Sequence, residues 1–181
     1  KAVEGPGPRL PDLYVLAVGV ADYPGPLRLA YADQDAETFV TTLQTAGGAL
    51  FRKTEVKLLT NQQATQREML RGLSWLRREM TQQDICVFFF SGHGAKDEAS
   101  RFYLVPVDGD PQELLATGLS DTQLKDALAA IPGRILVLLD ACHAGAAGGD
   151  RRKAPSVLTD DLVRDLATDD YGVVVMCSSM G

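Results

Sequence analysis

Two short blocks hold the residues most able to do covalent chemistry: Ser91-Gly92-His93-Gly94 and Asp140-Ala141-Cys142-His143. A cysteine is a strong nucleophile as its thiolate, and an imidazole beside it supplies the ion pair that favours that state. His143 follows Cys142 directly, and along an extended chain its side chain would leave the opposite face. His93 is therefore the candidate base and Cys142 the candidate nucleophile. Gly92 and Gly94 would leave the backbone around His93 free to turn sharply and admit a substrate. The backbone N–H groups of Gly94 and Cys142 are candidates to bind a developing oxyanion. The implied reaction is acyl transfer through a thioester.

Asp140 stands two residues before Cys142, so in an extended chain both side chains leave the same face. A carboxylate there would raise the thiol pKa if that were its only effect. It makes sense facing a cationic substrate side chain. Ser91 bears the same relation to His93, so Asp140 and Ser91 together would line a pocket for Arg or Lys before the scissile bond. The plainer reading of Asp140 is a carboxylate capping the following turn. Two other uses of these residues stay open. Cys142, His143, His93 and Asp140 could be tetrahedral zinc ligands, although no CxxC or HxxxH spacing supports this. Both the cysteine and the histidine could also be purely structural.

Each block must be positioned by what precedes it. Residues 85–90 and 135–139 are unbroken apolar runs, the pattern of strands buried on both faces. They stop at Ser91 and Asp140, and an open α/β sheet binds its ligands outside the carboxyl ends of its strands. Residues 13–20 read as a first strand and 55–59 as a more exposed second one. Residues 172–176 read as a fifth buried strand and 102–107 as a short extended piece. Helices fall between them. Ala36, Phe39, Val40 and Leu43 form one stripe, with Asp33 or Asp35 near its start and Gly47-Gly48 at its end. Thr65 and Glu68 form a capping box ahead of Met69, Leu73, Leu76 and Met80. Ser120 with Gln123 caps a helix carrying Leu124, Ala127, Leu128 and Ile131, and Leu158, Leu162 and Leu166 suggest a short one. Strands alternating with helices predict an α/β fold, a three-layer sandwich around a mostly parallel sheet.

The chain of 181 residues suits one domain, preceded over 1–12 by a Pro- and Gly-rich linker or arm. A net charge of −6 argues against nucleic acid or an anionic membrane as partner. It is compatible with a basic substrate. The arginines at 67, 71, 77 and 78 read as a solvated helix face. Cys86, Cys142 and Cys177 are odd in number and widely spaced, so no disulfide framework is suggested and a reducing, cytoplasmic setting is expected. No apolar stretch is long enough to span a bilayer, and no signal-peptide pattern is present.

At the two blocks the sequence resembles the caspase-like cysteine peptidases of clan CD, and most of all the bacterial caspase homologues, metacaspases and orthocaspases. Phe88-Phe89-Phe90-Ser91-Gly92-His93-Gly94 resembles the histidine block, and Leu138-Leu139-Asp140-Ala141-Cys142-His143-Ala144-Gly145 the cysteine block, with Ala144 where Ser is usual. The resemblance covers about 13–178 and implies a caspase-like fold with a dyad of His93 and Cys142. In metacaspase-like relatives an Asp at the place of Asp140 and another after the first strand shape a basic-selective S1 pocket. Asp33 best matches the second, with Asp35 its rival. True caspases carry Gln at the place of Asp140 and cleave after Asp, so the resemblance implies the Arg/Lys-cleaving branch, acting on protein or peptide substrates. An inactive caspase-like scaffold serving as a binding or regulatory module is the alternative.

The resemblance also raises calcium, the one cofactor implied. Asp108 and Asp121 look like two of the acids that bind it in many metacaspases. Thr122 stands where a second adjacent Asp is usual, and Gly149 seven beyond the cysteine, with Asp150 as a substitute. Family members continue into a small-subunit-like segment, so a large-subunit-like piece is expected here, partnered by that segment or by other domains. The basic run Arg151-Arg152-Lys153 would suit processing by a basic-specific protease, or would be a plain exposed loop.

Overall fold

The computed structural model describes residues 9–143 and 173–177, with the backbone alone for Ala49, Cys142, His143 and 173–177. Among these residues a seven-stranded sheet is built on three parallel strands: β1 (Leu13–Gly19), β3 (Ile85–Lys96) and β6 (Arg134–His143). β2 (Thr54–Thr60) flanks β1 and β7 (Val173–Cys177) flanks β6, both parallel to their neighbours. β4 (Phe102–Leu104) turns back antiparallel on β3, and β5 (Leu119–Ser120) pairs with β4. The helices are α1 (Ala32–Ala46), α2 (Gln66–Glu79), α3 (Leu114–Thr117) and α4 (Asp121–Ala129).

Alternation along the strands divides the core into two halves. Leu13, Val15, Ala17 and Val87 face α1, which buries Ala36 and Val40 on them. Tyr14, Leu16, Val18, Phe88, Phe90, Ile135, Val137 and Leu139 belong to the opposite half, with Met69, Leu73 and Leu76 of α2 and Leu124 and Leu128 of α4. The result is a three-layer α/β/α sandwich around a mostly parallel sheet. Close approach is bought by glycine at two places. A Cβ on Gly19 would lie 2.8 Å from the Cα of Asp33 in α1, and one on Gly72 of α2 only 2.6 Å from a Leu16 methyl.

The helix starts agree with the sequence in part. Ser120 and Gln123 form the full reciprocal box at α4. At α2 the Thr65 hydroxyl accepts from the Glu68 N–H at 3.2 Å, while the Glu68 carboxylate goes to Arg71 at 2.6 Å. Tyr31, at the N-cap of α1, supplies no side-chain cap. The strands themselves run further than their apolar stretches. β3 continues through Ser91 to Lys96 and β6 through Asp140 to His143, because residues 91–94 pair with 140–143 and residues 94–96 with β4. The polar blocks are thus held inside ladders rather than released at strand ends. The helix expected around 158–166 lies outside the described residues.

At the opposite, amino-terminal edge, buried Asp84 gathers the three central strands. Its carboxylate accepts from the Asp12 N–H at 3.1 Å, the Thr81 N–H at 2.7 Å and the Thr81 hydroxyl at 2.8 Å, and its carbonyl accepts from the Arg134 N–H at 3.1 Å. Burial alone would raise its pKa, yet the Thr81 and Asp12 donors, with Arg52 nearby, hold it below the usual Asp value. A carboxyl depressed on folding stabilises the native state above its unfolded pKa of about 3.9, and that contribution fades as pH falls through the folded value. Asp84→Ala is therefore expected to cost about 2–3 kcal/mol near neutral pH. Chemical denaturation between pH 3 and 7 checks this, and the gap between parent and variant should narrow below about pH 4.

Candidate active site

β3 changes partners at the histidine. Its pairing with β1 ends at Gly19 opposite Ser91, and β4 takes over the same side at Leu104 opposite Gly94. Between them the backbone of His93 would face a gap, and Tyr23 fills it. The Tyr23 hydroxyl accepts from the His93 N–H at 3.0 Å and donates to the Val105 carbonyl at 2.7 Å, while the His93 carbonyl accepts from the Val105 N–H at 2.9 Å. The phenol ring also lies against the imidazole, 4.6 Å between centroids and tilted by 44°. Burial pushes the hydroxyl pKa far above its ordinary value, partly opposed by the His93 N–H, so the group stays a neutral donor.

The two glycines beside His93 serve packing, which corrects the expected sharp turn. Neither has a positive φ, and both sit in regular β3 ladder positions. A Cβ on Gly92 would lie 2.8 Å from the Tyr23 hydroxyl, and one on Gly94 2.6 Å from the Phe102 ring. They let buried aromatic side chains close over the strand.

The imidazole is held from its far side. His93 is 6% exposed, and its Nε2 lies 2.6 Å from the carbonyl oxygen of Leu27. A carbonyl only accepts, so Nε2 carries the hydrogen and Nδ1 is left with its lone pair in the neutral ring. Nδ1 is buried and has no hydrogen-bond partner among the described residues. Leu27 ends a 3-10 turn over Gly25–Leu27, in which Gly25 takes φ +59°. Across the sheet, the register sets His93 opposite Cys142 and Gly94 opposite His143 on the adjacent strand. The sequence shows the turn as Pro24-Gly25-Pro26 but carries no signal that its end reaches His93, and none that marks Tyr23.

A row of three residues crosses the sheet one pleat away. Gly19, Ser91 and Asp140 are register partners on β1, β3 and β6, on the face that α1 covers. Ser91 is 3% exposed and Asp140 half-buried. The missing side chain of Gly19 lets the first turn of α1 settle over this row: a Cβ there would lie 2.4 Å from the Ala32 carbonyl oxygen and 2.8 Å from the Cα of Asp33. Asp33 is half-buried, whereas Asp35 is exposed on the next part of the turn. Asp33 Oδ2 accepts from Asn61 Nδ2 at 2.9 Å, and the residue borders a cavity of about 390 Å³ whose wall also carries Asp22 and Arg28, paired at 2.8 Å.

The family model of the caspase domain matches residues 13–180. The chain belongs to the caspase-domain peptidase family. A solved structure of a protein from Geobacter sulfurreducens superposes on this caspase domain with a TM-score of 0.60 at 21% identity, over 74% of this chain and 52% of that one. The Drosophila initiator caspase Dronc gives a TM-score of 0.49 at 16% identity, over 70% of this chain and 47% of that one. The domain therefore spans about half the length of the structures it matches. No curated protein matches the sequence.

Within the caspase domain the acids considered for calcium have local partners. Asp108 accepts from the Gln66 N–H at 3.0 Å at the start of α2, and Asp121 from the Thr122 N–H at 2.6 Å. No group of three or more His, Cys, Asp or Glu side chains among the described residues could hold a metal ion. Arg151, Arg152 and Lys153 lie outside the described residues. No helix among those described is long and apolar enough to cross a membrane.

Tyr23→Phe isolates the hydroxyl, leaving the ring in place while the His93 N–H and Val105 carbonyl lose a buried partner. Expected is a loss of about 1–3 kcal/mol in stability, with amide exchange at His93 accelerating more than at residues 85–90 of the same strand. Hydrogen exchange resolved by residue, beside chemical denaturation, reads both.

Proposed function

We propose that this caspase domain is a cysteine endopeptidase that cleaves protein or peptide substrates after Arg or Lys, with Cys142 as nucleophile and His93 as base. The observation that carries the reading is the β3–β6 register, which sets residues 93 and 142 opposite each other on adjacent parallel strands. The tautomer supports it: with Nε2–H held by the Leu27 carbonyl, Nδ1 carries the lone pair and has no partner among the described residues, as a base requires. In this mechanism Nδ1 accepts the thiol proton and the thiolate adds to the scissile carbonyl. The Gly94 and Cys142 N–H groups bind the oxyanion. Collapse breaks the C–N bond, and the imidazolium returns its proton to the leaving amine. Water, deprotonated by His93, then hydrolyses the thioester and releases the thiol.

The preference for a basic side chain rests on Asp140 and Ser91 in one row, with Asp33 above it at the start of α1. A guanidinium or ammonium held among two carboxylates and a hydroxyl exchanges water for charge-assisted bonds. A substrate with Asp before the bond would meet like charge. The setting proposed is the reducing cytoplasm, where Cys142 remains a thiol. A small-subunit-like segment is the partner proposed for the full-length protein, and no cofactor is proposed.

Fluorogenic peptides with Arg, Lys or Asp before the reporter test this, using full-length protein with and without calcium. Expected is cleavage after Arg and Lys only, reduced at least about 10³-fold by Cys142→Ala or His93→Ala. Cleavage untouched by Cys142→Ala overturns the mechanism, and absence of any cleavage makes the domain a scaffold. Preference for Asp removes only the pocket assignment. Burial pushes the Cys86 thiol up to about 12, so iodoacetamide near pH 7 should label Cys142 and spare Cys86 in the folded protein.

A further inference from the structure

Asn61 is the residue outside the two chemical blocks with the most constrained polar setting near the acid row. It follows β2 directly and adopts φ +45°, a left-handed conformation rare for a residue with a Cβ. Its side-chain oxygen accepts from two consecutive backbone N–H groups, Ala21 at 2.8 Å and Asp22 at 3.0 Å. Its side-chain nitrogen donates to Asp33 Oδ2 at 2.9 Å. The orientation of the amide needs no choice, because two N–H donors face one end and a carboxylate faces the other. One side chain thus ties the exit of β1, the end of β2 and the first turn of α1. Asp33 has its other oxygen on the Gln34 N–H at 2.9 Å, so both carboxylate oxygens are engaged within the fold.

We infer that Asn61 is a positioning residue for substrate specificity: by holding Asp33 Oδ2, it sets the direction in which that carboxylate meets a guanidinium or ammonium of the substrate. The inference rests on the proposed basic pocket and adds a determinant to it. Asn61 touches no reacting atom and acts through Asp33. Its own strained backbone fits this role, since a left-handed non-glycine residue persists where surrounding bonds over-determine it. Three bonds, two to the loop after β1 and one to the first turn of α1, do so here. An aspartate at the same place would keep the acceptor for Ala21 and Asp22 but turn a repelling oxygen on Asp33. Glycine would keep the backbone conformation and drop all three bonds.

The test compares full-length parent, Asn61→Gly, Asn61→Asp, Asp33→Ala and the Asp33→Ala/Asn61→Gly double variant on peptides with Arg or norleucine before the scissile bond. Expected is a fall of about tenfold in the Arg-over-norleucine ratio of kcat/KM for each single variant, carried mainly by KM for the Arg peptide. The double variant should lose no more than Asp33→Ala alone, because both changes break one unit. A purely structural Asn61 would lower both substrates equally, and that result overturns the inference. So does an Asn61→Asp variant with the parent ratio or a higher one, which would mean that negative charge suffices without orientation. If Asp33→Ala leaves the ratio unchanged, or the parent shows no Arg preference, the pocket reading fails first and this inference with it. If Asn61→Gly does not fold, Asn61→Asp, which keeps both backbone acceptor bonds, still decides.

Discussion

The parallel ladder between β3 and β6 is the constraint on which the rest of this domain depends. Parallel strands cannot be joined by a tight turn, so residues distant in sequence are brought together only when a whole crossover packs correctly. Here the crossover from β3 to β6 contains β4, α3, β5 and α4. A slip of one residue in this ladder would move every side chain of a strand to the other face and part residue 93 from residue 142. The register is held by burial on both sides: Phe88, Phe90, Ile135, Val137 and Leu139 on the α2 and α4 face, Val87 on the α1 face. The same apolar residues that stabilise the sheet thus fix the geometry of its polar end.

That polar end needs a second device. A central strand flanked by β1 on one side cannot open a candidate site there unless β1 stops, and stopping it strands the backbone groups of its neighbour. An unpaired buried N–H or carbonyl costs about 1–3 kcal/mol. One phenol hydroxyl solves this by accepting from His93 and donating to Val105, spanning the change from β1 to β4. The aromatic ring then doubles as a wall for the imidazole. This explains why Gly92 must lack a side chain, and it has nothing to do with a turn.

Much of the fold was legible because it obeys local rules. The buried runs at 85–90 and 135–139, the stripes of α1, α2 and α4 and the Ser120–Gln123 box all follow from period, capping and apolar continuity. Strand ends were not, since Ser91 to Lys96 has no apolar run and becomes a strand only because β6 and β4 offer partners. Residue types and the strands before them mark His93 and Cys142 as a candidate pair, and the register sets the two positions opposite each other, while their roles belong to the proposed function. Tyr23, Leu27 and Asn61 were not legible. Each acts through one hydrogen bond or more between segments tens of residues apart, with no pattern in its own neighbourhood to mark it.

The two ends of the sheet show what selection for stability alone leaves unexplained. At the amino-terminal edge the Asp84 carboxylate has both oxygens engaged, and its bonds join the starts of the central strands. At the carboxyl edge the described residues bury an imidazole with Nε2 bonded to Leu27 and Nδ1 without a partner. Phenylalanine would fill a similar volume there without a polar atom to desolvate, and replacing buried polar groups by apolar ones of like shape is often neutral or stabilising. An imidazole so placed is therefore disfavoured by the folding balance. Its bonded nitrogen fixes the tautomer, and its other nitrogen belongs to the residue opposite Cys142 in register. A buried imidazole with one proton position fixed and, among the described residues, no partner for its other nitrogen is the arrangement that the proposed role of base requires.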